Sequence, residues 1–297
     1  SLRLFALSSA LLGFVRGGLA MVNVGVSMFF SELSGSAVAG VAATAPLLIP
    51  AMHKRGYPRP FTAAVTSSSA TLAIILPPSI PMILYGVMAE TSIVQLFVAG
   101  IVPGLIAGFL MMALCYYYAR RYNWPVEEIF NLCRVWVTFK DAFWALFLPV
   151  IILGGIFGGI VTATEGGALA VVAALFLGLF VYRDLDWKFL YGAIVEGATQ
   201  TAVVMLLVAA SALVGVYLTE MRIPGQLASA ILTVTDESWA ILALLNIFFL
   251  IIGLFLHSAA AIILVVPVVM PLVNQVGIDP IHFGLVVTLN IAIGQQT

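Results

Sequence analysis

Charge is scarce in this chain of 297 residues: Lys and Arg number 12, Asp and Glu 13, together 8% of the sequence. An ordinary soluble domain carries roughly 25%, and a hydrophobic share of 63% leaves too little polar surface to face water. A soluble globular protein is excluded. The net charge of −1 gives no basic face, so no nucleic-acid partner is expected. Cysteine is nearly absent, and Cys115 and Cys133 have neither metal-ligand nor redox spacing, which reads as inert thiols. There is no HExxH, no GxSxG and no convincing Ser/His spacing, so no hydrolytic enzyme is expected. No secretion signal is visible. The chain opens on Ser1 without Met and stops at Thr297 inside an apolar pattern, which suggests an internal piece of a longer protein.

What the chain has instead is an internal repeat. Leu33-Ser34-Gly35-Ser36-Ala37-Val38-Ala39 is followed by an apolar run with Pro46 and Pro50, then Gly56, then the polar Thr66-Ser67-Ser68-Ser69. A constant offset of 221 residues leads to Leu254-Phe255-Leu256-His257-Ser258-Ala259-Ala260, then Pro267, Pro271 and Gly277, then Asn290 and Gly294-Gln295-Gln296-Thr297. Small polar residues thus interrupt apolar helices at matching places in residues 33–76 and 254–297. Repeats of broken hydrophobic helices point to the binding site of a secondary transporter.

A helix crosses the hydrocarbon with about 20 mostly apolar residues, and several segments qualify. Residues 1–16 read as an interfacial amphipathic helix with Arg3 and Arg16. Residues 17–33 and 36–52 are short arms around Ser34-Gly35-Ser36. Residues 58–90 form a span broken near Pro77-Pro78, and 93–118 another span. Residues 119–140 read as a polar loop. Residues 142–162 and 165–182 pair across a turn at Thr162–Glu165, where Thr and Glu suit a helix cap. Residues 184–198 read as amphipathic, 199–219 as a span, and 224–236 as interfacial. Residues 238–256 and 258–275 are the second pair of short arms, and 280–297 begins a second broken span. His53, Lys54, Arg55, Arg59, Arg120, Arg121, Arg134, Lys140, Arg183 and Lys188 fall in alternate loops, which the positive-inside rule makes cytoplasmic. Five crossings separate the hairpins. Five is odd, so the second repeat runs upside down relative to the first. The expected fold is an all-α polytopic membrane protein with inverted repeats, two helical hairpins and broken helices.

Backbone interrupted at membrane depth must be satisfied by protein, water or ligand. Carbonyls at a half-helix C-terminus suit a hard cation such as Na⁺, and N–H groups at a half-helix N-terminus suit a carboxylate. Glycine at a break allows close backbone approach, and Ser or Thr adds a hydroxyl ligand. Glu32 and His257 are ionisable groups beside the two tips, and ionisable groups at membrane depth are functional candidates.

Several further runs carry a resemblance: Leu48-Ile49-Pro50-Ala51-Met52 with Gly56-Tyr57, Ile75-Leu76-Pro77-Pro78-Ser79-Ile80-Pro81, Ala99-Gly100-Ile101-Val102-Pro103-Gly104, Thr162-Ala163-Thr164-Glu165, and Gly277-Ile278-Asp279-Pro280-Ile281-His282-Phe283-Gly284. With Ser34-Gly35-Ser36-Ala37-Val38-Ala39, in this order, the chain resembles the large membrane subunit of tripartite ATP-independent periplasmic (TRAP) transporters over essentially its whole length. The resemblance implies an elevator-type, Na⁺-driven importer of organic anions such as C4-dicarboxylates or sialic acid, in the bacterial inner membrane. It implies two protein partners, a small membrane (Q) subunit, sometimes fused, and a periplasmic substrate-binding (P) protein. The family has spans before the residue matching Ser1 and continues past the residue matching Thr297. Carried over, one Na⁺ site uses Ser34, Gly35, Ser36, Ser67, Ser69 and the carbonyls before Pro77, with Leu76 the last. The other uses Ser258, Ala259, Asn290, Gly294 and Thr297. Substrate lies between the tips, with Ser36, Glu32, His257, Ser258 and Ser68 as candidate contacts. Residues 17–90 and 238–297 form the transport repeats, 91–237 the scaffold and connecting arms, and 1–16 an arm helix. The chain departs from the family at His257, where Asp is common, and at Glu32. The alternative is a stand-alone Na⁺/dicarboxylate symporter that needs no binding protein.

Overall fold

Inside hydrocarbon the backbone can satisfy its own N–H and C=O groups locally only as helix. The computed structural model, which describes residues 2–124, 131–183, 185–233, 235 and 237–296, consists of helices joined by turns and short irregular segments, with no strand among them. The helices are α1 (Leu2–Leu12), α2 (Gly18–Ser34), α3 (Ala37–Lys54), α4 (Arg59–Ala70), α5 (Leu72–Ile75), α6 (Ile80–Met88) and α7 (Ile93–Arg121). There follow α8 (Leu132–Phe157), α9 (Ala163–Phe176, ending in a π-helical turn Leu177–Val181), α10 (Trp187–Glu220), α11 (Ile223–Leu232), α12 (Ser238–Phe255), α13 (Ser258–Gln275) and α14 (Pro280–Gly294). Among the described residues seven of these are long and apolar enough to cross a membrane; the α4–α6 segment, bent by 42° at its break, would make an eighth.

The repeat is structural as well as sequential. α3 and α13 begin and end at residues 221 apart, and α4 and α14 begin at the same offset. Each of α3 and α13 holds two prolines at matching turns. Each is followed by a glycine with positive φ, Gly56 at 84° and Gly277 at 71°, which is the usual way for a chain to leave a helix. Arms of 18 residues rise about 1.5 Å per residue, about 27 Å in all, just short of a hydrocarbon core of about 30 Å.

The chain forms two compact units, Ser1–Ile80 with Phe97–Ala170, and Pro81–Leu96 with Val171–Thr297. In the first unit, α2 packs against α1, α3, α4 and α5 and is buried on nearly every side from Gly18 to Ser27. Its core joins Leu19, Val24, Met52, Leu72 and Leu76 to Cys115 and Ala119 of α7. Tyr57, Phe61 and Trp124 close one end, with ring centroids 4.5 and 4.6 Å from Trp124. In the second unit the core is Phe249, Ile262, Val266, Phe283, Val287 and Ile291. Tyr85 joins it and donates its hydroxyl to the carbonyl of Pro280 at 2.6 Å.

Two segments differ from the sequence expectations. Residues 132–140 belong to α8, not to a loop: Asn131 caps the helix by accepting from the N–H groups of Cys133 and Arg134, and Thr138 bonds back to Arg134. Residues 184–198 and 199–219 do not form two elements. α10 runs unbroken from Trp187 to Glu220, because the hydroxyls of Thr199 and Thr201 donate to the carbonyls of Val195 and Gly197 at 2.8 Å. Polar side chains that serve their own helix do not interrupt it. α1 buries Leu4, Leu7, Ser8 and Ala10, packing against α2 and α8. The turn at Thr162–Glu165 is a reciprocal cap as its sequence suggests: Glu165 accepts from the N–H and hydroxyl of Thr162, whose oxygen accepts from the N–H of Glu165.

Candidate functional site

Each hairpin turns on two residues. At the first tip Gly35 adopts φ 57° and gives its N–H to Ser31. Ser36 is extended, and its hydroxyl accepts from the N–H of Ala39 as the cap of α3. Ser34 folds over the turn, its hydroxyl donating to the carbonyl of Ser36 at 3.3 Å and accepting from the N–H of Ser36 at 3.4 Å. At the second tip Leu256 and His257 are extended. The ring Nδ1 of His257 accepts from the N–H of Ala259 at 3.4 Å. Ser36 and His257, 221 residues apart, are thus both N-caps. A ring that accepts through Nδ1 carries the proton of its neutral form on Nε2, so exposed His257 offers a donor at its far nitrogen.

The first tip rests on the break of the broken helix. α5 stops at Leu76, which is extended, and Pro77 and Pro78 can donate no N–H. The hydroxyl of Ser79 donates to the carbonyl of Ile74 at 2.6 Å, and the N–H of Ile80 donates to the carbonyl of Gly35 at 3.3 Å. A Cβ on Gly35 would lie 2.7 Å from the carbonyl oxygen of Pro78. Backbone therefore meets backbone here, and only glycine leaves the room. Neutral oxygens of Gly35, of the flanking Ser34 and Ser36, and of Pro78 thus lie at this junction. Among the described residues no three His, Cys, Asp or Glu side chains converge on a metal position. Hydroxyl and carbonyl oxygens are the ligand type that hard cations take.

The other expected ligands are placed as follows. Ser69 is fully buried and paired with Ser27 of α2, oxygen to oxygen 2.8 Å. Ser67 and Ser68 are half-buried on α4, and the carbonyl of Ser68 accepts from Thr71. Glu32 is half-buried in the last turn of α2. Ser258 and Ala259 are buried in the first turn of α13. Asn290 donates to the side-chain oxygen of Asn246 on α12 at 2.6 Å. Gly294 packs on Gly253, where a Cβ would lie 2.8 Å from the Gly253 Cα. Thr297 lies outside the described residues. The structure thus joins tip one to the Pro77–Ile80 break, and ties Asn290 and Gly294 to α12. Sequence reasoning missed Asn23, Ser27 and Asn246. The signal was present for the first two: Asn23, Ser27 and Ser31 recur every fourth residue in a mostly apolar helix, and all three are buried.

The family described as "Tripartite ATP-independent periplasmic transporter, DctM component" matches residues 1–297. The chain is 42% identical over its whole length to the isethionate TRAP transporter permease protein DctMQ of Oleidesulfovibrio alaskensis, of which it covers 47%. It is 38% identical to the C4-dicarboxylate TRAP transporter large permease protein DctM of Pseudomonas aeruginosa, over 99% of this chain and 69% of that one. It is 37% identical to the 2,3-diketo-L-gulonate TRAP transporter large permease protein YiaN of Escherichia coli, over 100% of this chain and 70% of that one. The chain spans about half the length of the first of these relatives and about seven tenths of the other two.

Proposed function

The chain belongs to the DctM family of TRAP transporter large permeases, multi-pass proteins of the bacterial inner membrane, and from that premise we propose that it imports small organic anions by Na⁺ symport. The substrate is an organic acid of the kind named for the relatives, a carboxylate or sulfonate. It is delivered by a periplasmic binding protein, and a small membrane subunit, separate or fused, completes the complex. Residues 17–90 and 238–297 supply the moving part of an elevator, and residues 91–237 the scaffold.

The observation that carries this reading is the pair of matched, N-capped tips, each between two short apolar arms. The oxygens of Ser34, Gly35, Ser36 and the Leu76 carbonyl hold one Na⁺. Those around Ser258 and Ala259, with Asn290, Gly294 and Thr297 beyond, hold the other. A bound cation supplies the positive charge that an anionic substrate needs. Each tip then offers its own donors for the oxygens of an anion: the Ser36 hydroxyl at the first, the Ser258 hydroxyl and the His257 Nε2–H at the second. Tips that are ordered only with the cation present couple the two solutes. Two Na⁺ per monoanion carry one net charge, so a membrane potential of 100 mV contributes about 2.3 kcal/mol.

The test is uptake by the full complex in proteoliposomes, with and without a Na⁺ gradient and with and without the binding protein encoded alongside. Na⁺-dependent accumulation that needs the binding protein is expected. Accumulation without it would favour the stand-alone symporter, and indifference to Na⁺ would overturn the assignment of both tips. Replacing Ser36 or Asn290 by Leu should abolish Na⁺-dependent uptake while leaving membrane insertion intact.

A further inference from the structure

A second feature of the first unit lies below the tip, between α2 and α4. Asn23 is wholly buried. Its side-chain amide donates to the hydroxyl of Thr66 at 2.7 Å and to the sulfur of Met52 at 3.5 Å, yet its Oδ1 has no partner among the described residues. One turn along α2, Ser27 is paired with Ser69. Asn23 and Ser27 are four residues apart on one helix, and Thr66 and Ser69 three apart on the other, so the two rungs are neighbours.

The proton count of this cluster is one-sided. The hydroxyl of Thr66 is donated to Thr62 at 2.8 Å, and that of Ser69 to the carbonyl of Thr66 at 3.3 Å. Ser27 then supplies the proton between the two serines, and both amide protons of Asn23 are engaged. Every donor is spent. Lone pairs remain on Asn23 Oδ1, Thr66, Ser27 and Ser69, because hydroxyl and amide oxygens each offer two. A buried acceptor without a partner is costly where water is absent, and an excess of acceptors excludes an anion. No carboxylate belongs to the cluster, so a divalent ion would be poorly compensated. Neutral oxygens of this kind replace the hydration shell of a monovalent cation.

We propose that Asn23 Oδ1, with the hydroxyl oxygens of Thr66, Ser27 and Ser69, forms an additional Na⁺-class site between α2 and α4, distinct from the tips. The inference rests on the Na⁺-driven reading above. It takes Ser69 from the tip site and gives it to this one.

The test is thermal unfolding of the full chain, purified with its membrane partner, titrated with Na⁺ at constant ionic strength against choline. Asn23→Leu should raise the Na⁺ concentration of half-maximal stabilisation at least ten-fold. Asn23→Asp keeps an oxygen ligand but cannot donate to Thr66, and should hold the midpoint at or below that of the parent. Ser27→Ala, a small change that keeps the fold, should shift the midpoint in the direction of Asn23→Leu. If Asn23→Asp and Asn23→Leu lose stability equally at every Na⁺ concentration with the parent midpoint, Asn23 is only a helix staple and the site is overturned. If Ser27→Ala and Asn23→Asp both keep the parent midpoint, a water fills the place and the site is likewise overturned. A parent protein indifferent to Na⁺ would instead sink the Na⁺-driven reading.

Discussion

Gly35→Ala tests the docking of the first tip on the helix break, with Gly56→Ala as its internal control. Both glycines have positive φ, 57° and 84°, so each alanine costs about 1–2 kcal/mol in left-handed backbone. Only Gly35 meets an obstacle: its Cβ would fall 2.7 Å from the Pro78 carbonyl oxygen and 3.3 Å from the nitrogen of Ile80, whereas nothing lies within 4 Å of a Cβ at Gly56. Relieving the overlap moves backbone, not the end of a flexible side chain, and such overpacking costs about 1–3 kcal/mol. The same movement stretches the Ile80 to Gly35 hydrogen bond, already 3.3 Å long. The excess of Gly35→Ala over Gly56→Ala is therefore about 1–3 kcal/mol, a factor of about 5–150 in an equilibrium. In proteoliposomes that excess should appear as a rise of this size in the Na⁺ concentration for half-maximal uptake, after correction for inserted protein. Equal midpoints for the two variants would refute the claim that the tip works while seated on the break.

Three further outcomes are expected. Asn246→Leu and Asn290→Leu should each destabilise the protein in detergent, and the double variant should be no worse than the sum less about 0.6–2 kcal/mol, the worth of an interhelical hydrogen bond in a membrane protein; strictly additive losses would show that the 2.6 Å pair is uncoupled. Ser36→Ala removes the cap of α3 and should cost about 1 kcal/mol, seen as faster amide exchange at residues 37–39; unchanged exchange would remove Ser36 from the cap. Glu165→Ala should fray the start of α9 by freeing Thr162, with no change in the Na⁺ midpoint, whereas a shifted midpoint would make Glu165 part of the transport machinery.

Much of the fold was legible in the sequence because its causes are local. Apolar runs of spanning length have no alternative to helix in hydrocarbon. Proline, glycine and capping residues act within a turn of themselves, so Pro46, Pro50 and Gly56 with their copies Pro267, Pro271 and Gly277 fixed the arms of both hairpins to within two residues. The reading failed where polar residues served their own helix, as Thr199 and Thr201 do in α10, and where a capped amphipathic start was taken for a loop, as at Asn131 in α8.

The sequence by itself determined a repeated, twice-broken membrane helix bundle and the residues at its two tips. Only the tertiary structure decided that Gly35 sits on the carbonyl of Pro78, that Ser69 pairs with Ser27, that Asn290 is tied to Asn246, and that Asn23 keeps a buried oxygen to spare. These contacts join residues 42 to 44 positions apart. Hydroxyl and amide groups can be satisfied by many partners, and nothing in their local sequence selects one. The selection is made when helix faces pack, which fixes the few directions in which a short polar side chain can reach.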